Sequence, residues 1–379
     1  MQTKYNLIKQ EIKSKILDGT YEPHQKIHSE SEMMRQFSVS RHTVRLAVGE
    51  LVNEGWLYRA QGAGTFCADR SNHTENKELR ARKNIAIVTT YISDYIFPSI
   101  IRGAESYLSE HGYQVTLFNT NNNHDKEREY LENIISQNFD GAIIEPTKSA
   151  YSNPNINYYL NLERLNLPYV MINAYYEALE PIRVVVDDER GAYLQTEYLI
   201  KRGHRNILGF FKTDDMQGTL RMKGYLKAHR EYNVPINPKH ITTYSTGEKC
   251  EKPARELREK LSNKEEGPTA IICYNDELAM KLLDVLREKK INIPEDLSIV
   301  GFDNSFLAEL SEVKLTSVNH PKADMGRTAS KLILSLIKRK QQGKGAKEEV
   351  KSVIYTPELV ERKSTKDLTS SGEDVENVN

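Results

Sequence analysis

Apolar positions near the start of the chain recur three and four residues apart. Tyr5, Ile8, Ile12 and Ile16 trace one face of a helix that Gly19 stops. Ser29-Glu30-Ser31-Glu32 sets a hydroxyl three residues before a carboxylate, the capping-box pattern, and predicts a second helix through Met33, Met34 and Phe37. Ser40 caps a third helix over about 41–54. Its inner face is Val44, Ala47, Val48, Leu51 and Val52, and Gly55 ends it. Two strand-like pieces, 56–60 and 65–68, flank the turn Gln61-Gly62-Ala63-Gly64 and predict a hairpin. Three helices followed by a hairpin make a winged helix-turn-helix.

Farther along, the periodicity changes. Short apolar runs at 85–89, 114–118, 141–145, 168–173, 207–211, 270–273 and 297–302 alternate with helical patterns at 100–111, 125–138, 191–201, 219–232 and 276–289. Such alternation predicts an α/β core of parallel sheets covered by helices, with ligands at the carboxyl ends of the strands. The core is too long for one open sheet of this kind and suits two lobes. Between head and core, residues 69–84 are almost wholly polar. The expected division is therefore a head at 1–69, a linker at 70–84, a core at 85–362 and a polar tail at 363–379 expected to be disordered.

The 379 residues carry 53 Lys+Arg and 53 Asp+Glu, so any nucleic-acid surface has to be a local patch. Residues 1–70 hold ten Lys+Arg against eight Asp+Glu, only weakly basic. Three distant cysteines, Cys67, Cys250 and Cys273, argue against a disulfide framework and for a reducing compartment. With no secretory leader and no membrane-spanning run, the expectation is a cytoplasmic protein without a membrane partner. Phosphate-loop, zinc-protease and nucleophile-elbow motifs are lacking. Adjacent acids at Asp187-Asp188 and Asp214-Asp215 point to opposite faces if on strands, a poor acid/base couple. His24 and His28 have no third ligand nearby. Neither enzyme activity, nor a metal, nor a cofactor is expected.

The outward face of the third helix offers Arg41, His42 and Arg45, which can reach base edges or phosphates when a helix lies in a major groove. A solvated basic face reads equally well from these three alone. Ser40 and Thr43 beside them, and a Gly-rich wing with Arg59 and Gln61, favour double-stranded DNA. The stretch from EIKSKILDG to RAQGAGTF resembles the GntR-type winged-helix domain of bacterial transcription regulators over nearly its whole length. That resemblance implies operator contacts from Glu30, Arg35, Arg41, Thr43, Arg45, Gln61 and Gly62; Lys4, Tyr5, Ser40 and His42 complete the expected DNA-facing set. Pro23 to Ser29 departs from the family's Gly-rich approach to the second helix, which bears on operator choice.

The core resembles a second family, the LacI-type repressors related to periplasmic sugar-binding proteins. The matching stretches are VVVDDERGAYLQTEYLIKRGHRNI, LRMKGYLKAH, AIICYNDELAMKLLDVLREKKINIPEDLSIVGFDNS and LTSVNHPKADMGRTA. The pairing of these two families implies a dimeric, sugar-responsive repressor of the arabinose-operon type, with L-arabinose as effector. Another sugar, a sugar phosphate or a purine is the alternative.

Sugars need bidentate donors, carboxylate or amide acceptors and an aromatic face. Arg221 supplies the fork, and Asn275, Asp303 and His320 follow strands. Tyr91, Ser93, Asp94 and Tyr95 follow the first core strand, and Glu145 closes another. Asp276 reads as an N-cap rather than a ligand. Arg221 is the only basic side chain expected in the cleft, which favours a neutral ligand.

Overall fold

The computed structural model describes residues 4–69, 83–137, 139–262, 267–342 and 349–369. In the head, α1 (Lys4–Leu17), α2 (Glu30–Phe37) and α3 (Arg41–Asn53) precede the antiparallel hairpin of β1 (Leu57–Ala60) and β2 (Gly64–Cys67). Ile8, Ile12, Met33, Val44, Ala47, Leu51 and Leu57 form its interior. The capping box is reciprocal: Ser29 N donates to Glu32 Oε2 at 2.7 Å, and Glu32 N donates to Ser29 Oγ at 3.3 Å. Ser38, at φ 50°, lets the chain turn from α2 into α3. Pro23–Ser29, the unusual approach to α2, lies along the wing: Lys26 bridges to Phe66, and His24 Nδ1 is 3.2 Å from Tyr58 Oη.

The first lobe begins with β3 (Lys83–Thr89), α4 (Phe97–Glu110), β4 (Tyr113–Asn119), α5 (His124–Ser136), β5 (Gly141–Ile144), α6 (Ile156–Arg164), β6 (Tyr169–Ile172) and β7 (Arg183–Val186). The chain then crosses to the second lobe. There run α7 (Asp188–Lys201), β8 (Ile207–Lys212), α8 (Met216–Glu231), β9 (Ile241–Tyr244), α9 (Lys252–Lys260), β10 (Ala270–Ile272), α10 (Asp276–Glu288), β11 (Ser298–Asp303), α11 (Phe306–Leu310) and β12 (Thr316–Asn319). It returns with α12 (Lys322–Gln342) and β13 (Val353–Tyr355) to the first lobe and ends with β14 (Leu359–Val360) in the second.

The sheet orders are β13-β7-β6-β5-β3-β4 and β14-β12-β11-β10-β8-β9, parallel throughout except for the β12/β14 pair. Central strands such as β5, β6 and β11 are buried at every residue, as strands covered on both faces must be. The returning helix α12 packs tightly on α4: a Cβ added to Gly103 or Gly326 would strike the other helix's backbone. Three crossings between lobes make the hinge, and the strand ends of both sheets face one cleft.

Several expectations need correcting. Lys83 and Asn84, expected in the linker, extend β3, because Asn84 N donates to Asp140 Oδ2 and Asp140 N to Asn84 O. Residues 70–82 of that linker lie outside the described residues. The expected disordered tail is ordered through Thr369. Ser364 is fully buried; its Oγ donates to Ile299 O and accepts from Thr316 N, while its carbonyl accepts from Ile299 N. Backbone and hydroxyl bonds hold this segment, so hydropathy did not reveal it; residues 370–379 lie outside the described residues. Asn275, not Asp276, caps α10, accepting from Leu278 N at 2.9 Å. Asp187 and Asp188 open α7 rather than lying on a strand.

Candidate effector cleft and DNA-binding face

Between the lobes lies a cavity of about 420 Å³, within the usual range for small-molecule sites. All nine expected effector residues line it: Tyr91, Ser93, Asp94, Tyr95, Glu145, Arg221, Asn275, Asp303 and His320. They meet because each follows the carboxyl end of a parallel strand or, like Arg221, points inward from the first turns of a helix beside one.

Arg221, on α8, is the centre of the second lobe's wall. Its Nε lies 2.8 Å from Asp188 Oδ1, Nη1 donates to Tyr274 O at 2.5 Å, and Nη2 is 3.4 Å from Asp303 Oδ1. The guanidinium also lies 3.5 Å from the Phe302 ring centroid. Burial disfavours its charge, but Asp188 and Asp303 outweigh that and hold it above the ordinary arginine value. Burial pushes Asp188 up to about 6 despite Arg221. Asp303 stands at φ 89°, a left-handed conformation that turns the chain sharply where β11 meets the cleft.

Opposite this wall, Glu145 Oε2 accepts from Thr90 N and Oγ1 at 2.8 and 2.6 Å, and Oε1 accepts from Asn173 Nδ2 at 2.9 Å. Burial raises its pKa. The bond to Glu145 fixes the Asn173 amide, leaving Oδ1 to face His320 Nε2 at 3.2 Å. His320 therefore carries its proton on Nε2. Its Nδ1 is buried with no hydrogen-bond partner among the described residues, an acceptor open to a ligand hydroxyl. Hydrogen bonds tie the lobes together around the cavity. Tyr95 Oη donates to Phe302 O at 3.0 Å and accepts from Asp276 N at 3.1 Å. Asn122 Nδ2 donates to Thr246 Oγ1, and Met216 N to Ser149 Oγ, both at 2.9 Å. The cleft is closed.

Arg221 is not the only cation here. Lys212, Lys249 and Lys281 also line the cavity, and none was legible as a cleft residue, since a single lysine has no distinguishing pattern. Each has a carboxylate: Lys212 meets Asp215 at 2.9 Å, and Lys249 and Lys281 meet Glu277 at 3.6 and 3.1 Å. Six carboxylates line the cavity against four cations. The expectation that Arg221 is the only basic side chain in the cleft is therefore corrected. Asp188 and Asp215, also missed, sit in the adjacent-acid pairs that the sequence offered only as catalytic candidates.

On the head, α3 presents Arg41, His42 and Arg45 to solvent. Ser40 Oγ accepts from Thr43 N at 3.3 Å, capping the helix, and lies 2.9 Å from Thr43 Oγ1. Glu30 faces the helix from α2, 3.8 Å from Arg41 and 3.0 Å from Arg45. Arg35 is exposed, Lys4 Nζ donates to Ser38 O at 3.1 Å, and Tyr5 is half-buried against the head's interior. Gln61 and Gly62 are exposed at the wing tip, where Gly62 takes φ 76°. Leu46, half exposed beside Arg45, was overlooked, although an apolar residue on the outward face was visible in the sequence.

A winged-helix head joined to a closing two-lobed cleft defines a ligand-responsive transcription regulator. Residues 4–67 match the bacterial regulatory proteins of the gntR family, and residues 196–365 match the periplasmic binding protein-like domain. Over 98% of both chains, the sequence is 59% identical to the arabinose metabolism transcriptional repressor of Halalkalibacterium halodurans. It is 49% identical to that of Geobacillus stearothermophilus over 96% of this chain and 98% of the other. Among solved structures, a LacI family regulator from Enterococcus faecium with bound ribose superimposes with a TM-score of 0.64 at 27% identity, covering 76% of this chain and all of that one. The chain belongs to the family of arabinose metabolism transcriptional repressors, regulators with a GntR-type head and a LacI-type core. These relatives are repressors rather than enzymes. No helix among the described residues is long and apolar enough to cross a membrane.

Proposed function

We propose that the protein is a cytoplasmic homodimer that represses sugar-utilisation genes by binding operator DNA and releases it when L-arabinose fills the cleft. The observation that carries this reading is the cleft's chemistry: a closed cavity with more carboxylates than cations, a guanidinium fork, a bare imidazole nitrogen and tyrosine rings. Such a lining suits an uncharged polyol. Arg221 donates to hydroxyls; Asp303, Glu145, Asp94 and His320 Nδ1 accept from them. Asn275, Ser93 and Tyr95 add further polar contacts, and Tyr91 offers a ring face. The names of the two relatives point to arabinose among uncharged sugars.

In the head, Arg41, His42 and Arg45 read base edges or phosphates from the major groove, Ser40 and Thr43 set the helix that carries them, and Gln61 with Gly62 enters beside it. Lys4, Tyr5 and Arg35 flank the duplex backbone, and Glu30 positions the arginines. Two heads in a dimer meet half-sites about 34 Å apart, or a multiple of that. The ribose in the Enterococcus faecium neighbour favours a second reading with another pentose. A thermal-shift panel of pentoses, hexoses and their phosphates tests both: a ligand at 100 times its Kd adds about 2.7 kcal/mol. L-arabinose should shift the core's midpoint and release operator in a gel-shift assay; no shift with L-arabinose and a shift with a phosphate would overturn the reading.

A further inference from the structure

The head does not hang free of the core. Its apolar interior runs without a break into that of the first lobe, where α1 packs on α5. Two polar contacts pin the end of α1 onto α6. Asn161 Nδ2 donates to Leu17 O at 2.5 Å, capping a carbonyl in the last turn of α1 that has no helical partner. Ser14 Oγ lies 2.9 Å from Tyr158 Oη, which in turn donates to Glu132 Oε1 at 2.8 Å. Leu17, Tyr158 and Asn161 are all buried. A buried amide spent on another domain's carbonyl is the mark of a specific seat, since without the head it would face water.

The underside of that seat is tied to the cleft. Glu127, on α5, is fully buried and accepts from Tyr159 Oη, Tyr176 Oη, Asn153 Nδ2 and Asn155 Nδ2 at 2.7 to 3.0 Å. Tyr159 stands on α6, next to Tyr158. Tyr176 Oη also lies 2.8 Å from Thr147 O. Thr147 belongs to the loop whose Ser149 takes the cross-lobe bond from Met216. Lobe closure at Ser149 and head docking at Tyr158 and Asn161 thus act on one hydrogen-bonded block. Docking leaves Arg41, His42, Arg45, Gln61 and Gly62 exposed, so it does not cover the DNA-reading face.

We propose that the α5/α6 face of the first lobe is a seat for the chain's own DNA-binding head, occupied when the cleft closes on ligand. Seated heads are held where the core dictates; operator binding requires them where the half-sites dictate. The seat therefore opposes repression by placement rather than by occlusion. This rests on the repressor and L-arabinose reading above.

The full-length protein tests it with two variants on opposite sides of the contact, Ser14→Arg on the head and Asn161→Ala on the lobe. Small-angle scattering with saturating L-arabinose should give a larger radius of gyration for each variant than for the parent. Each variant should hold operator up to about tenfold more L-arabinose than releases the parent, with sugar-free operator affinity unchanged for Ser14→Arg. Equal radii overturn the seat. Different radii with release at one common sugar concentration overturn its coupling to the operator. Should Asn161→Ala fail to fold, Ser14→Arg, a half-buried position on a helix surface, decides alone. A parent that keeps operator at every L-arabinose concentration refutes the effector assignment instead, and the radii of parent and Ser14→Arg are then compared with the sugar that the thermal-shift panel identifies, where equal radii overturn the seat.

Discussion

Arg45 of the third helix is held by Glu30 of the second, its Nε 3.0 and 3.1 Å from the two carboxylate oxygens. Both side chains are solvent-facing, so the pair itself contributes little, about 0–1 kcal/mol. Its effect is orientation: the guanidinium is set across the outward face before DNA arrives. Arg45→Ala should weaken specific operator binding by about 1–3 kcal/mol, roughly 5- to 150-fold, and leave sugar affinity unchanged, because it lies in another domain. A gel-shift titration with unaltered operator affinity would remove Arg45 from the reading face. Glu30→Ala should bind random DNA more tightly and discriminate less, which the same titration against non-operator competitor measures.

Arg221 and Asp303 share the cleft wall but should fail differently when replaced. Removing Arg221 strands buried Asp188 without its counter-charge, so Arg221→Ala should destabilise the core by about 3–5 kcal/mol as well as abolish induction. Asp303→Asn keeps volume and hydrogen bonding; it should fold with little loss and keep operator bound at L-arabinose concentrations that release the parent. Denaturant midpoints for the two variants, set beside their release curves, separate the effects. Similar destabilisation of both, or normal release by Asp303→Asn, contradicts the assignment.

Tyr95 bridges the closed lobes with one hydroxyl, accepting from Asp276 N and donating to Phe302 O. Tyr95→Phe leaves those two backbone groups without this partner in the closed form only, a cost of about 1–3 kcal/mol. The expected result is L-arabinose affinity reduced about 5- to 150-fold, read by calorimetry, with operator affinity in the absence of sugar untouched. An unchanged sugar Kd would mean that the hydroxyl contributes nothing to closure.

Much of this architecture was legible because it is written in apolar spacing. The head's three helices and wing, and the central strands β3, β5, β6, β8, β10 and β11, are runs of buried residues with the expected period. Several of the elements that escaped have polar or partial burial; β7 escaped although its three valines are buried, being only four residues long. Edge strands β13 and β14 have no fully buried apolar run, and α12 hides Met325, Ala329 and Ile333 among lysines and serines. The cleft followed from one topological rule, that ligands meet strand ends, and the rule named positions without naming partners. Lys212 with Asp215, and Arg221 with Asp188, are contacts between segments brought together only by the fold, as are Asn161 and Leu17 at the head's seat.

His320 provides a test of the cleft that needs no ligand. Burial holds its imidazole down at about 4, against an ordinary 6.5; Asp303 opposes that shift, and Lys322 and Arg221 add to it. The unfolded chain takes up this proton near 6.5, whereas the folded protein resists it until about 4. The unfolded state thus binds more protons across this window, and stability falls as pH drops from 6.5 to 4. At 1.36 kcal/mol per unit, this one group costs up to about 3 kcal/mol at the acid end. Asp188, raised to about 6, and Asp276, raised to about 7 by burial, work the other way, since the folded protein protonates them first. The parent's own profile mixes both signs, so a difference is the informative quantity. His320→Gln removes the imidazole and keeps a hydrogen-bonding amide towards Asn173. Its stability relative to the parent, from denaturant midpoints at half-unit steps between pH 4 and 7, should rise steadily as the pH is lowered. A difference that stays flat across the window would place His320 in water in the folded protein and remove it from the buried wall of the cleft.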